Sequence, residues 1–204
     1  PSGDLMVLSI SQQASANAGM DATICEGSAY TLADATAPDA STVLWTTSGT
    51  GTFNNAALVN PVYTPSPNDI LDGFVTLTLT VTSATPCPGD TDQMVLTISH
   101  QAIVNAGVNA TICEGSSYSP VTALAVNATS LLWTSNGDGA FDDATILNPV
   151  YTPGTNDIAT GTVTLTLTAQ SATPCGPASD AMVLTISQQA SANAGLDATI
   201  CEGS

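Results

Sequence analysis

Apolar residues in this chain recur at every second position, most clearly where Val75, Leu77, Leu79 and Val81 alternate with Thr76, Thr78 and Thr80, and again where Val163, Leu165 and Leu167 alternate with threonine. A side-chain period of two is that of a β-strand with one face in a core and the other toward water. Threonine suits the wet positions because it is β-branched, which favours a pleated backbone, and polar without being charged. Residues 94–98 and 182–186 carry the same signal, and a loop of Pro, Gly and Asp at 86–92 predicts a hairpin with the strand before it. Further strands are predicted at 5–10, 30–33, 43–47 and 58–63, with turns at 48–51 (Ser-Gly-Thr-Gly) and 65–67 (Pro-Ser-Pro). No stretch shows helical periodicity. Trp45 and Trp133 fall in mid-strand and are assigned to the core between two sheets.

The pattern returns at a fixed interval. Cys25, Cys113 and Cys201 are spaced 88 residues apart, as are Ile10, Ile98 and Ile186, and 51 of 88 positions are identical between 17–104 and 105–192 without insertion or deletion. This period predicts the last strand of a preceding repeat at 1–13, repeat 1 at 14–101, repeat 2 at 102–189 and the first strand of a following repeat at 190–204. Roughly seven short strands in about 90 residues predict an all-β chain of tandem Ig-like β-sandwich domains with an 88-residue repeat. The two end segments are strands without a domain of their own. Truncation of a longer chain accounts for them most economically, and strand exchange with a neighbouring segment is the narrower alternative.

Composition then removes whole classes of partner. The 204 residues include no Lys or Arg, 17 Asp plus Glu and one His, a formal charge of −17. Nucleic acid and anionic membrane surfaces are attracted by Lys and Arg, so neither is an expected partner. The apolar runs are far shorter than the roughly eighteen residues a membrane helix requires, so no membrane insertion is expected, and any targeting segment is expected outside the sequence. With 43% hydrophobic but 4% aromatic residues, the cores must be built mainly from Val, Leu, Ile and Ala. Catalysis is not expected: the single histidine, His100, aligns with Gln12 and Gln188, so nothing common to the repeats depends on it, and a Ser-His-Asp arrangement has no shared base. Lys–Asn isopeptide cross-links are ruled out by the absence of lysine.

Several stretches together resemble the Ig-like or PKD-like repeats of very large cell-surface proteins of Bacteroidota, including gliding-motility-type adhesins and other giant secreted proteins. They are Asn17-Ala18-Gly19 with residues 21–27 (Asp-Ala-Thr-Ile-Cys-Glu-Gly), 44–53, 60–65, 68–70, 75–80 and 94–98, each with a second copy 88 residues on. The resemblance spans the chain. It implies a β-sandwich, export to the cell surface or medium, and a role in extension or adhesion, with no catalytic residue. The function expected is that of an extracellular structural repeat protein forming a filament, stalk or surface array, whose partners are neighbouring repeats of the same chain or identical chains. The alternative is an adhesin or ligand-binding module that takes a surface or glycan ligand.

In an exported chain, two cysteines per repeat suggest a disulfide framework, with Cys25, Cys87, Cys113, Cys175 and Cys201 as its candidates. A self-contained repeat favours Cys25 with Cys87. Against this, Cys25 lies just before a strand opening at Gly27 and Cys87 in the last hairpin loop, which puts them at opposite ends of a sandwich, about 30 Å apart. That distance argues for a bond between repeats, Cys25 with Cys175 where repeats stack end to end; the within-repeat pairing is the one expected, because each repeat is taken as self-contained, and the other stays open. No cofactor is expected, with Ca²⁺ the one ion the carboxylates leave open. Asn136-Gly137-Asp138-Gly139 has the form of a calcium-type loop, yet its counterpart Ser48-Gly49-Thr50-Gly51 carries no charge. The acidic pairs common to both repeats, Glu26/Glu114, Asp69/Asp157 and Asp92/Asp180, read as solvated surface. Two glycosylation sequons, at Asn109 and Asn127, align with Asp21 and Asp39 and are read as chance.

Overall fold

The computed structural model describes residues 4–190, 192–193, 195–199 and 201–203. Its chain is all-β, arranged as tandem Ig-like sandwiches, and divides into two compact units. One comprises residues 4–103 with Asn127–Thr129 and Gln170–Ala178; the other comprises Val104–Val126, Ser130–Ala169 and residues 179–203.

The first unit holds seven strands: β1 (Ala22–Cys25), β2 (Tyr30–Thr31), β3 (Thr42–Thr47), β4 (Thr52–Phe53), β5 (Val62–Thr64), β6 (Phe74–Thr82) and β7 (Asp90–Ser99), with one short helix, α1 (Pro67–Asp72), between β5 and β6. One sheet runs β1-β7-β6-β3 and the other β2-β5-β4. The β6–β7 hairpin pairs antiparallel from Phe74 with Thr97 to Val81 with Asp90, whereas β1 lies parallel to β7, with Cys25 beside Ser99. The alternation along β6 does what its sequence predicts: Val75, Leu77, Leu79 and Val81 are buried while Thr76, Thr78 and Thr80 are only half covered. Full burial of each such aliphatic side chain contributes about 1.5–3 kcal/mol.

The second unit repeats the plan with β8 (Ile103–Asn105), β9 (Ala110–Cys113), β10 (Leu124–Val126), β11 (Ser130–Ser135), β12 (Ala140–Phe141), β13 (Tyr151–Thr152), α2 (Thr155–Thr160), β14 (Thr162–Gln170) and β15 (Ala178–Ser187). Its main sheet is ordered β11-β14-β15-β9, with β9 parallel to β15.

Trp45 and Trp133 are each only 2% exposed, and each indole N–H donates to a backbone carbonyl at 3.2 Å, of Val59 and Leu147 respectively. In both units the indole begins a row of tilted rings: Trp45, Phe53 and Tyr63 at centroid spacings of 6.0 and 5.0 Å, and Trp133, Phe141 and Tyr151 at 5.9 and 4.9 Å. Such offset contacts add stabilisation beyond area burial.

Four local expectations are corrected. The strand expected at 5–10 does not form; Leu5, Met6, Val7, Leu8 and Ile10 are 75–92% exposed. The strand expected at 58–63 is restricted to β5, because residues 57–60 form bends and turns. No strand opens at Gly27, which adopts φ +79 in a turn directly after β1. Helices α1 and α2 appear where only turns were expected: six residues cannot display a helical period, and the segments are set by their ends. Ser66 caps α1 through the Asp69 amide, and Gly73, at φ +77, closes it in the left-handed conformation glycine favours. The first strand expected at 190–204 runs partly through positions outside the described residues; Leu196 is 98% exposed.

Candidate cross-linking site

Without Lys or Arg, the carboxylates of this chain have almost no cation to pair with, and backbone amides take that place. Asp90 and Asp92 accept from the amides of Ala16 and Ala18 at 2.9 and 2.8 Å, Asp21 accepts from Val95 at 2.8 Å, and Asp180 accepts from Ala106 at 2.8 Å. The bonds to Asp90 and Asp92 hold the segment leading into the first sandwich, where Ala14 and Ala18 are buried. The reading of Asp69 and Asp157 as solvated surface is wrong: they are 1% and 2% exposed. Asp69 accepts from the amides of Thr50, Gly51 and Ser66, each at 2.9 Å, and from the Tyr63 hydroxyl at 2.7 Å; Asp157 accepts from Asp138, Gly139, Gly154 and Tyr151 in the same way.

Burial opposes ionisation of Asp69 and Asp157, but the hydrogen bonds outweigh it and hold both carboxyls below the usual carboxylate range. Burial, together with the adjacent carboxylate, pushes the Tyr63 and Tyr151 hydroxyls up to about 12. Gly49 and Gly51 are obligatory because a Cβ at either would collide with the Asp69 carboxylate. Asp138, the charge in the calcium-type loop, caps α2: its carboxylate accepts from the amides of Asn156 and Asp157 at 3.1 and 3.2 Å. The sequon residues also have structural duties. Asn109 accepts from the Val183 amide at 2.8 Å, and Asn127 stands at φ +56, as Asp39 does at φ +59, in the left-handed region that Asn and Asp tolerate.

Two of the five cysteines meet. Cys25, the last residue of β1, is bonded to Cys175, 150 residues away, with Cα atoms 4.9 Å apart. The within-repeat pairing of Cys25 with Cys87 does not occur. Cys25 lies beside Ser99 at the end of β7, whereas Cys87 precedes the start of that ten-residue strand, about 30 Å away. The loop 170–178 that carries Cys175 belongs to the first compact unit. There the Cys175 sulfur sits 3.3 Å from the Ser99 carbonyl oxygen, the Ser99 hydroxyl donates to Thr173 at 3.2 Å, and Ser171 accepts from the Ala102 amide at 2.9 Å and donates to Gly176 at 2.6 Å. Next to Cys25, Glu26 accepts from His100 and from the Gln101 amide, each at 3.0 Å, bonds that hold its carboxyl below the ordinary glutamate range. The histidine thus steadies the turn after the bonded cysteine.

Cys87 is a half-buried free thiol whose Sγ lies 3.3 Å from the Ser11 carbonyl oxygen; Cys113 is an exposed free thiol at the end of β9, beside Ser187; Cys201 is exposed. No cluster of three or more His, Cys, Asp or Glu side chains suited to a metal ion occurs among the described residues. No described helix is long and apolar enough to cross a membrane.

Strand order and the bonded corner define an Ig-like sandwich protein stapled by cystine. No protein-family model matches the chain, and no curated protein does. Among solved structures, the titin I-band fragment I67–I69 is similar over 83% of this chain and 63% of its own length (TM-score 0.48, 12% identity). Extracellular cadherin domains 3–6 of protocadherin gamma B2 are similar over 84% of this chain and 46% of that one (TM-score 0.41, 14% identity). Domains 1–5 of the same protocadherin match over 86% and 40% (TM-score 0.35, 13% identity). The chain therefore spans less than two thirds of each of these structures.

Proposed function

We propose that this chain is a stretch of an extracellular structural repeat protein in which successive sandwiches build a filament, stalk or surface array. The observation that carries this reading is the Cys25–Cys175 bond, whose two cysteines come from different copies of the 88-residue period. A bond of that kind serves the continuity of an array and contributes nothing to an isolated domain's chemistry. The shared polar residues agree with such a role. Asp69/Asp157, Asp92/Asp180 and Glu26/Glu114 are spent on backbone amides of their own units, and the aromatics that recur line the cores. The resemblance to giant Bacteroidota surface repeats supports export, as does cystine itself.

The second reading, an adhesin, draws on a cavity of about 320 Å³ lined by Asn136, Gly137, Asn156, Asp157, Thr160 and Thr162, of which Asn136, Thr160 and Thr162 stand where the first copy has Ser48, Asp72 and Phe74. Electron microscopy of the native material separates the two. Threads with an axial period near one sandwich length support the structural reading; monodisperse particles without periodic assembly refute it and favour the adhesin.

A further inference from the structure

We infer that Cys87 is a cross-linking site for the Cys-Glu-Gly-Ser corner of another repeat of this type, joined as Cys175 is joined to Cys25. The inference rests on the structural reading above and deepens it, because it makes the observed cystine one rung of a recurring series.

The argument is a comparison of two loops. Cys87 and Cys175 close identical Ser-Ala-Thr-Pro-Cys segments at 83–87 and 171–175. In both, the cysteine amide donates to the carbonyl three residues back at 3.0 Å, Ala84 in one case and Ala172 in the other. Ser83 accepts from the Ala14 amide at 2.8 Å as Ser171 does from Ala102 at 2.9 Å, and Ser11 donates to Thr85 at 3.4 Å as Ser99 does to Thr173 at 3.2 Å. Each sulfur lies 3.3 Å from the carbonyl oxygen of its serine, Ser11 or Ser99. The Cys87 loop is thus already in the geometry of its bonded twin.

What differs is the strand on the other side. Ser99 is the register partner of Cys25, so the strand that reaches Cys175 also carries the bonded cysteine beside it. Leu96 and Ile98 in that strand are 0% and 2% exposed, whereas their counterparts before Ser11, Leu8 and Ile10, are 75% and 87% exposed. The place where an Ala-Thr-Ile-Cys strand would lie beside Ser11 is open. Such a strand recurs in the sequence, since Ala-Thr-Ile-Cys-Glu-Gly-Ser stands at 22–28, 110–116 and 198–204. Cys113 ends the second of these beside Ser187 and is the matching half for a further Ser-Ala-Thr-Pro-Cys loop.

Bond formation takes one proton and one electron from each of the two thiols, that of Cys87 and that of the incoming cysteine, and joins the sulfurs. A disulfide oxidant of the thiol-oxidoreductase class accepts the two electrons and two protons and leaves as a dithiol.

The test is a disulfide map of the native, full-length protein: free thiols are alkylated, the chain is cleaved without reduction by a protease specific for glutamate, and linked peptides are sequenced by mass spectrometry. The expected result is Cys87 alkylated only after reduction, and joined before it to a peptide containing Ala-Thr-Ile-Cys. The residues flanking that peptide identify its source. Leu196-Asp197 marks a second copy of this stretch, and a flank absent from this sequence marks a further repeat. Alkylation of Cys87 without reduction overturns the inference, as do a bond to Cys25, a bond to another Ser-Ala-Thr-Pro-Cys loop, and a monomeric species closing Cys87 onto Cys113 or Cys201 of its own chain. Periodic threads in which Cys87 is free would leave the structural reading standing and remove this one alone.

Discussion

Exchanging two residues of the second unit for those of the first, Asp138→Thr with Gly154→Ser, is expected to leave stability nearly unchanged although each substitution alone is costly. In the first unit the Ser66 hydroxyl caps α1, bonded to the Thr50 hydroxyl at 2.6 Å and accepting from the Asp69 amide at 3.2 Å. In the second, the residue at the cap is Gly154, which has no side chain, and the Asp138 carboxylate occupies the space a Cβ there would need. Asp138→Thr alone strands the amides of Asn156 and Asp157; losing a cap costs about 1 kcal/mol, and the second amide brings the total to about 1.5 kcal/mol. Gly154→Ser alone forces a Cβ against that carboxylate at a similar cost of about 1–2 kcal/mol. The dihedrals suit a serine, because Gly154 sits at φ −83 and ψ 177, close to the φ −82 and ψ 167 of Ser66, and the remaining contact, a Cβ 2.7 Å from the Asp138 carbonyl carbon, requires a small shift of the 138 backbone toward its place in the first unit. Combined, the substitutions recreate the hydroxyl pair, so the coupling energy should be about 3 kcal/mol. Urea unfolding read by Trp133 fluorescence in a Trp45→Phe background measures it; with a slope of about 1–1.5 kcal/mol per molar, each single variant shifts the midpoint down by about 1 M. If the double variant falls by the sum of the singles, the carboxylate is not standing in for the serine and the account of both caps fails.

Four further outcomes follow from the same geometry. Asp69→Asn should cost about 2–4 kcal/mol, since one amide oxygen cannot replace a carboxylate that accepts four hydrogen bonds, and thermal unfolding of the variant reads this directly. Because the folded-state pKa of Asp69 and Asp157 is depressed, the stability they contribute is whole above the unfolded value near 4 and is lost as pH falls through the folded one; circular dichroism against pH should show this acid limb, shallower in Asp69→Asn, and an equally steep limb would refute the assignment. Tyr63 and Tyr151 act in the opposite direction: with folded values raised to about 12, their contribution is complete below pH 10 and disappears between there and 12, so absorbance at 295 nm should show these two ionising last, after Tyr30 and Tyr118, which burial also raises. Cys25→Ala, which opens a loop of 150 residues, should lower stability by up to about 5 kcal/mol on the chain-entropy account, seen as a reduced melting temperature that reducing agent does not lower further.

The parts of this fold that announce themselves in the sequence are those where one physical requirement covers many consecutive residues. The nine residues of β6 alternate strictly because one face is core, and Trp45 lies inside because a large ring in a chain poor in aromatics has few other places to go. Strand β1 was missed because it has four residues and a single buried side chain, Ile24, too little for any period. The short helices are set by Ser66, Asp138 and two glycines, and not by a face. Asp69 was misread because a carboxylate in an acidic chain resembles surface; Gly49, Gly51, Tyr63 and Asp69 do return together one period later, but so do many residues that never touch, and their mutual contact is visible only in the structure. The cysteine pairing was half legible. Strand length separates Cys25 from Cys87, but that the 170–178 loop reaches Cys25 is a property of packing.

The Cys25–Cys175 bond also decides how the chain answers tension. Pulled by its two ends, the polypeptide transmits force into Cys25, across two sulfur atoms, and out through Cys175, so that the 149 residues between them (26 to 174) are bypassed. Of 204 residues, 53 lie outside the loop and its two cysteines (204 − 149 − 2) and can be drawn straight, about 190 Å of contour at roughly 3.5 Å per residue, while about 520 Å stays hidden behind the bridge. The parts of the sandwich cores that lie inside that loop could therefore melt without lengthening the thread further, and a reducing environment, more than any applied force, is what would release them.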